Sequence, residues 1–277
     1  MQIRGDWVPL RMPDLTLSLI QTALHWEQPD ANRSMLSEKL AQVPAASALV
    51  LLPEMFSTGF SMNAAALAET MDGPTVQWMR EAAVRHRKIL AGSLIIQEED
   101  IYVNRLIWML PNGQLGYYDK RHCFTLAGED RHYTPGNRRL IASVMGWRVN
   151  LCICYDLRFP VWSRQQLGGT EEQPEPEFDL LVYVANWPDR RIHAWKSLLP
   201  ARAIENQCYV AAVNRVGPDG HAIDHSGHSM IIDPLGEILA TESGQEAIIT
   251  TSLSRAHLEE TRTKLPFWRD ADRFMIR

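Results

Sequence analysis

The sequence predicts an α/β fold in which two sheets pack face to face with helices outside. Three observations carry this. Early in the chain, strand and helix signals alternate. The strand candidates outnumber what one ordinary sheet holds. Hairpin turns between some of them require mixed or antiparallel pairing.

The strand candidates are Leu15–Gln21, Ala48–Leu52, Ile89–Ile96, Ile101–Met109, Leu115–Tyr118, Leu140–Met145, Arg148–Cys154, Asp179–Val184, Tyr209–Asn214, Ser229–Ile232 and Ala247–Ser252. Many have the β-branched, alternating or continuously apolar character of buried strands. Asn112-Gly113 is a hairpin signal, and Pro234-Leu235-Gly236 marks a second turn. Helices fall between them. Asp30 caps a run through about Gln42. Asp72 and Pro74 open a run through Arg87, in which Val76, Met79 and Ala83 recur at helical spacing. Phe159–Leu167, Ile192–Asn206 and Ser254–Thr263 complete the set, with Ser254 as N-cap. Gly168–Glu177 reads as a solvated loop. No linker or repeat divides the chain, so residues 1–277 read as one domain. Residues 1–11 show no pattern and read as an extension outside the core.

The 277 residues carry a formal charge of −5, which gives no basic footprint for nucleic acid. No apolar run is long enough to span a bilayer, and the amino terminus has no signal-peptide core. Cys123, Cys152, Cys154 and Cys208 match no disulfide framework, which suggests a reducing, cytoplasmic setting.

Cys154 ends an apolar strand and precedes Tyr155-Asp156-Leu157-Arg158-Phe159-Pro160, where a helix can begin. A strand-to-helix junction exposes a side chain beside unpaired N–H groups, which suits a nucleophile and its oxyanion. The segment alone equally fits a buried structural cysteine; Cys152 and Cys208 read as core. Glu54 follows Leu51-Leu52-Pro53 and suits a general base, or else a solvated loop. Lys120 ends a strand and suits stabilisation of a thiolate or oxyanion, or else belongs to a surface cluster with Arg121 and His122. Cys123 is a rival thiol without the junction.

Taken together and in order, these segments resemble the nitrilase superfamily. The signature of a Glu, a Lys and a Cys at strand ends appears as Leu-Pro-Glu54-Met-Phe, Tyr-Asp-Lys120-Arg-His and Cys154-Tyr-Asp-Leu-Arg-Phe-Pro. A second glutamate is matched by Gly128-Glu129-Asp130. Ala185-Asn186-Trp187-Pro188, the stretch Ala201–Gln207 and Asp233-Pro234-Leu235-Gly236-Glu237 match as well, so the likeness runs from about Leu15 to the end.

The resemblance implies a four-layer αββα sandwich, assembled as a homodimer or larger oligomer. It also implies a cysteine amidase closest to the bacterial ω-amidases, which hydrolyse the terminal amide of 2-oxo acid monoamides such as 2-oxoglutaramate and 2-oxosuccinamate. Cys154 is then the nucleophile, Glu54 the acid–base and Lys120 the oxyanion partner with the backbone N–H of Tyr155. Glu129 orients Lys120 and the amide, and Phe60, Asn186 and Trp187 fall in the substrate pocket. No metal or other cofactor is required. Cys123 departs from the pattern, since relatives commonly have Leu there. Arg190 and Arg191 lie near enough in sequence to bind a carboxylate but read first as an exposed helix start. Arg158 with Asp156 reads as scaffolding around the nucleophile, and Arg202 with Glu205 as structural contacts.

Sibling activities on nitriles, N-carbamoyl groups or acyl acceptors share the same catalytic set. Two other classes compete. His221, His225 and His228 raise a metal-dependent hydrolase, although Gly220 and Gly227 interrupt any helix there. A binding protein on a dead hydrolase fold would have lost Glu54, Lys120 or Cys154, and all three are present.

Overall fold

Alternation in the first strand sets the layering: Leu15, Leu17 and Leu19 point one way and Ser18 and Ile20 the other. The computed structural model describes residues 12–170 and 174–276. Its strands are β1 (Leu15–Gln21), β2 (Leu49–Leu51), β3 (Ile89–Glu98), β4 (Ile101–Met109), β5 (Leu115–Asp119), β6 (Ile141–Val144), β7 (Trp147–Ile153), β8 (Leu167–Gly169), β9 (Pro174–Pro176), β10 (Leu180–Val184), β11 (Tyr209–Val213), β12 (Val216–Pro218), β13 (Asp224–Ile232), β14 (Ile238–Ser243) and β15 (Ala247–Leu253). Its α-helices are α1 (Pro29–Leu40), α2 (Ala64–Leu67), α3 (Pro74–His86), α4 (Pro160–Ser163), α5 (Ile192–Asn206) and α6 (Arg255–Lys264).

One sheet runs β15-β1-β2-β3-β4-β5; the other runs β12-β13-β11-β10-β7-β6, with β14 on β13. Both are mixed. β1, β2 and β3 are parallel, as are β7, β10 and β11, while the flanking ladders are antiparallel. Leu15, Leu17 and Leu19 share one buried cluster with Val149, Leu151, Val182 and Ala211 of the second sheet. Ile20, Val50 and Leu90 pack instead against Leu36 and Leu40 of α1 and Val76, Met79 and Ala83 of α3. α5 covers the second sheet, burying Trp195, Leu199 and Ala203. The four-layer α/β sandwich is therefore present. Among the described residues no helix is long and apolar enough to cross a membrane.

Several local expectations are corrected. The first helix is capped at Gln28, because Pro29 takes the N1 position with its φ preset; Asp30 sits in the first turn. The third helix starts after Gly73, and the Glu69 carboxylate accepts the Thr75 N–H at 2.6 Å. The run from Phe159 is helical only over Pro160–Ser163. Just past it the Gln165 N–H donates to Asn206 Oδ1 at 2.6 Å instead of to a helical carbonyl, and the Gln165 side chain exchanges two 2.9 Å hydrogen bonds with the backbone of Phe178. Part of the 168–177 stretch is not loop, since β8 and β9 form a short antiparallel ladder. Strands β12 and β14 were not anticipated; the exposed Glu242 and Ser243 on β14 hide its apolar signal. The Asn112-Gly113 hairpin stands, with Gly113 at φ 82°. Residues 1–11, read as an extension, lie outside the described residues.

One buried carboxylate ties the second sheet to the C-terminal helix. Asp179, just before β10, accepts from Arg262 at 2.7 Å and from Arg148 at 3.3 Å, and pairs with Arg255 at 3.3 Å. Burial opposes its charge, but Arg262 and Arg148 outweigh burial and hold its carboxyl below the ordinary value. Asp179→Ala leaves the buried Arg255 and Arg262 without their acid and is expected to destabilise the protein by about 3–5 kcal/mol at pH 7 in urea unfolding. Because the folded pKa is depressed, this contribution is present above the unfolded carboxylate value and vanishes as pH falls through the folded one. The variant and wild-type curves should converge below pH 3.8.

Candidate active site

The site is assembled where strands end. Glu54 follows β2 through Pro53, Lys120 follows β5, Cys154 follows β7 and Asn186 follows β10. Carboxyl ends of parallel strands leave backbone groups unpaired and side chains free to converge. Two residues here are non-glycine with positive φ: Met55 at 41°, next to Glu54, and Cys154 at 43°. Such a backbone is costly and persists only where surrounding contacts enforce it.

Lys120 lies between two carboxylates. Its Nζ donates to Glu54 Oε1 at 2.8 Å and to Glu129 Oε1 and Oε2 at 2.9 and 2.8 Å. Glu54 and Glu129 are wholly buried and Lys120 is 2% exposed. Burial disfavours the Lys120 ammonium, but Glu129 and Glu54 outweigh it and hold the pKa well above the ordinary lysine value. Burial pushes the Glu129 carboxyl up against the opposing pull of Lys120, and Glu54 pushes it further. Glu54 also accepts the Asn186 N–H at 2.9 Å, and Asn186 Nδ2 donates to the Glu54 carbonyl. Glu129 accepts the Phe124 N–H.

Cys154 opens a 3₁₀ turn over Cys154–Arg158. Asp156 holds that turn. Its Oδ2 accepts the Ile153 N–H at 3.0 Å and the Tyr118 hydroxyl at 2.7 Å, and its Oδ1 accepts the His122 N–H at 3.0 Å. The elbow bearing Cys154 is thus fastened to the segment bearing Lys120. Arg202 donates to the Leu157 carbonyl at 2.7 Å and pairs with Glu205 at 3.1 Å, confirming a structural role for both. At the start of such a turn the N–H of Tyr155 has no intrahelical acceptor. Burial, then the neighbouring Glu54 charge, push the Cys154 thiol well above its ordinary value, with Lys120 opposing. The resting thiol therefore keeps its proton at neutral pH.

A cleft of about 80 Å³ brings together Cys154, Lys120, Tyr155, Phe60, Asn186 and Trp187. The Phe60 ring faces Lys120 Nζ at 5.0 Å. Glu54 and Glu129 lie behind this wall. Two sequence readings are revised. Arg190 and Arg191 do lie at the start of α5, with Arg190 exposed as read, but they and Arg158, read as scaffolding, also line the cleft. The turn over Asp189–Arg191 carries the first two back toward Cys154, which helix spacing alone does not reveal.

Cys123 does not line the cleft; its Sγ lies 3.6 Å from the Tyr133 carbonyl, and burial pushes its thiol up to about 12. Cys152 and Cys208 are core, as expected. The histidine cluster does not converge. His221 packs edge-on to Trp26, His225 turns to the Gly217 carbonyl, and among the described residues no three His, Cys, Asp or Glu side chains group as a metal site.

Asn104 escaped sequence reasoning. Its Nδ2 donates to Glu54 Oε1 at 2.9 Å and to Glu129 Oε1 at 3.3 Å, and its carbonyl accepts the Lys120 N–H at 2.9 Å. The available signal was an asparagine in the middle of the apolar strand β4, 2% exposed.

The comparisons with known proteins agree with this geometry. The carbon-nitrogen hydrolase family model matches residues 16–263. The chain belongs to the carbon–nitrogen hydrolase family. Omega-amidase YafV of Escherichia coli K12 is 44% identical over 266 residues, 96% of this chain and all of that protein. A 2-oxoglutaramate amidase of Bacillus subtilis is 32% identical over 92% of this chain and 96% of its own length. The crystal structure of XC1258 from Xanthomonas campestris, a CN-hydrolase superfamily protein with an arsenic adduct in its active site, superposes with a TM-score of 0.93. It is 45% identical and covers 96% of this chain and 100% of its own.

Lys120→Met leaves two buried carboxylates without the ammonium between them. The expected cost is about 3–5 kcal/mol at pH 8. Burial and Glu54 already raise the Glu129 pKa, so without Lys120 one carboxyl takes up a proton as pH falls. The deficit against wild type, read from melting temperatures, should be clearly smaller at pH 5 than at pH 8. An equal deficit at both would contradict this electrostatic assignment.

Proposed function

We propose that the protein hydrolyses the terminal amide of small 2-oxo acid monoamides, 2-oxoglutaramate and 2-oxosuccinamate, releasing ammonia and the dicarboxylate. The observation that carries this is the Lys120 ammonium, held between two buried glutamates and lining one cleft with the Cys154 thiol. The names of the E. coli and B. subtilis relatives supply the substrate class.

In this reading Glu54 takes the Cys154 proton as sulfur attacks the amide carbon. The oxyanion is held by Lys120 and the Tyr155 N–H. Protonated Glu54 then gives its proton to the departing nitrogen, and ammonia leaves a thioester. Water, deprotonated by Glu54, attacks the thioester. The acid departs and the proton returns to sulfur. Glu129, which accepts from Lys120 through both oxygens, keeps the ammonium aimed at the reacting carbon. Asn186, bound to Glu54 through two donors, has an Oδ1 with no partner and suits the amide N–H. Phe60 and Trp187 wall the pocket.

Four free cysteines support a reducing, cytoplasmic setting. We take the chain as one catalytic domain acting on a small molecule, without nucleic acid or membrane partners, and assembled as a homodimer or larger oligomer, as the family resemblance implies. The test is ammonia release from 2-oxoglutaramate without added metal. Wild type should turn over, Cys154→Ala should not, and Lys120→Ala should lose about 100- to 1,000-fold. Release by Cys154→Ala equal to wild type would overturn the mechanism. No release by wild type would overturn the substrate and turn attention to nitriles and carbamoyl acids.

A further inference from the structure

We infer that Asn104 is a positioning residue for the proton transfers of Glu54, filling one oxygen of that carboxylate so that the other exchanges protons with Cys154 and the amide. This rests on the amide-hydrolysis reading above and adds a residue to its machinery.

Asn104 stands in the middle of β4, where its neighbours Val103, Leu106 and Ile107 are core, and it is buried with them. Its Nδ2 carries two hydrogens and sends one to each acid, to Glu54 Oε1 at 2.9 Å and to Glu129 Oε1 at 3.3 Å. Carboxylates only accept, which fixes the amide with its nitrogen toward them. Its Oδ1 is then left buried with no partner among the described residues. An orphaned buried acceptor costs stability, so the position keeps an amide for its donors and not for its packing. The backbone carbonyl of the same residue accepts the Lys120 N–H at 2.9 Å. One residue therefore meets all three members of the buried trio.

Lone pairs decide where the proton lands. Glu54 Oε1 accepts from Lys120 Nζ at 2.8 Å and from Asn104 Nδ2, which fills both of its lone pairs. Oε2 accepts the Asn186 N–H at 2.9 Å and has room for one proton more. A proton leaving the Cys154 sulfur is thus received at Oε2, and from there it passes to the departing nitrogen. Without Asn104, Oε1 gains a lone pair that can hold a proton beside Lys120 instead of beside sulfur. Both acids also lose a donor that favours their charged form.

The titratable groups that face the two acids are Lys120 from the end of β5, the Cys154 thiol from its elbow, and Cys123 and Tyr133 beside Glu129. Burial lifts the two thiols and the phenol above their ordinary values. Burial opposes the Lys120 charge, but Glu129 and Glu54 outweigh it. The proton taken up on the acid side therefore belongs to the carboxyl pair.

The test is the pH profile of two variants. Asn104→Leu removes the donors, and Asn104→Asp keeps the shape but turns a donor into an acid. Neither touches the backbone bond to Lys120. Two readouts are taken on the intact protein: kcat and KM for ammonia release from 2-oxoglutaramate, and the rate at which iodoacetamide labels Cys154, read on its peptide. Asn104 does not line the cleft, so KM should hold. In both readouts the acid limb should move to higher pH by about one to two units, because a hydrogen bond to a charged group is lost. On that limb each unit is about a tenfold loss of rate, and raising the pH should recover it. A merely structural role would lower the rate alike at every pH. An acid limb unmoved in either variant, or a loss carried by KM alone, would overturn the proposal. The buried Cys152 and Cys208 stay unlabelled while the fold is intact. If Asn104→Leu fails that check, Asn104→Asp carries the test. No ammonia from wild type would sink the amide reading, while the labelling profile would still judge Asn104.

Discussion

The constraint on which the site depends is the burial of one ammonium between two carboxylates. Lys120, Glu54 and Glu129 are all but inaccessible to water, and each is expensive to bury alone. Together they are tolerated because every oxygen of the two carboxylates is aimed at the ammonium or at an N–H. Asn104 and the backbone N–H groups of Asn186 and Phe124 supply the remaining donors. The two-sheet architecture makes this possible. Glu54 and Lys120 come from one sheet, Cys154 and Asn186 from the other, and the four meet only because both sheets present strand ends at the same rim.

A second consequence follows for Cys154. A thiol beside the net negative charge of this trio is not a standing thiolate; burial and Glu54 keep it protonated. In the proposed mechanism, reactivity comes from proton transfer to Glu54 during attack rather than from a pre-ionised sulfur. The positive φ of Cys154 and the clasp of Asp156 keep the sulfur at the cleft despite its partial burial. Cys123, a few residues from Lys120 in sequence, has neither an elbow nor a place in the cleft, and its thiol is pushed up without a base poised to receive its proton.

Much of this was legible in the sequence. Long apolar strands such as Ile101–Met109 and the helix Ile192–Asn206 announced themselves by period and length, with bounds that the structure reproduces. Glu54, Lys120 and Cys154 were legible because each follows an apolar strand, but only their order made them specific. Hidden features share a physical cause: they depend on contacts between distant segments. Asn104 looks like an odd polar residue until the two glutamates surround it. Arg158 and Arg191 look remote from the site until the chain folds them over Trp187 and Phe124. Helix ends shifted where a side chain from elsewhere bound the backbone, as Asn206 does at the Gln165 N–H. The histidines at 221, 225 and 228 were the converse, neighbours in sequence that diverge in space.

The most direct test of the account is chemical capture of the intermediate. Wild-type protein mixed with 2-oxoglutaramate and quenched in acid within the first turnovers should carry an acyl adduct on the Cys154 peptide that hydroxylamine removes. Glu54→Gln, unable to pass protons in either direction, should form none. A burst of ammonia with no adduct on Cys154, or a hydroxylamine-labile adduct on another residue, would contradict the central claim that this thiol carries the acyl group.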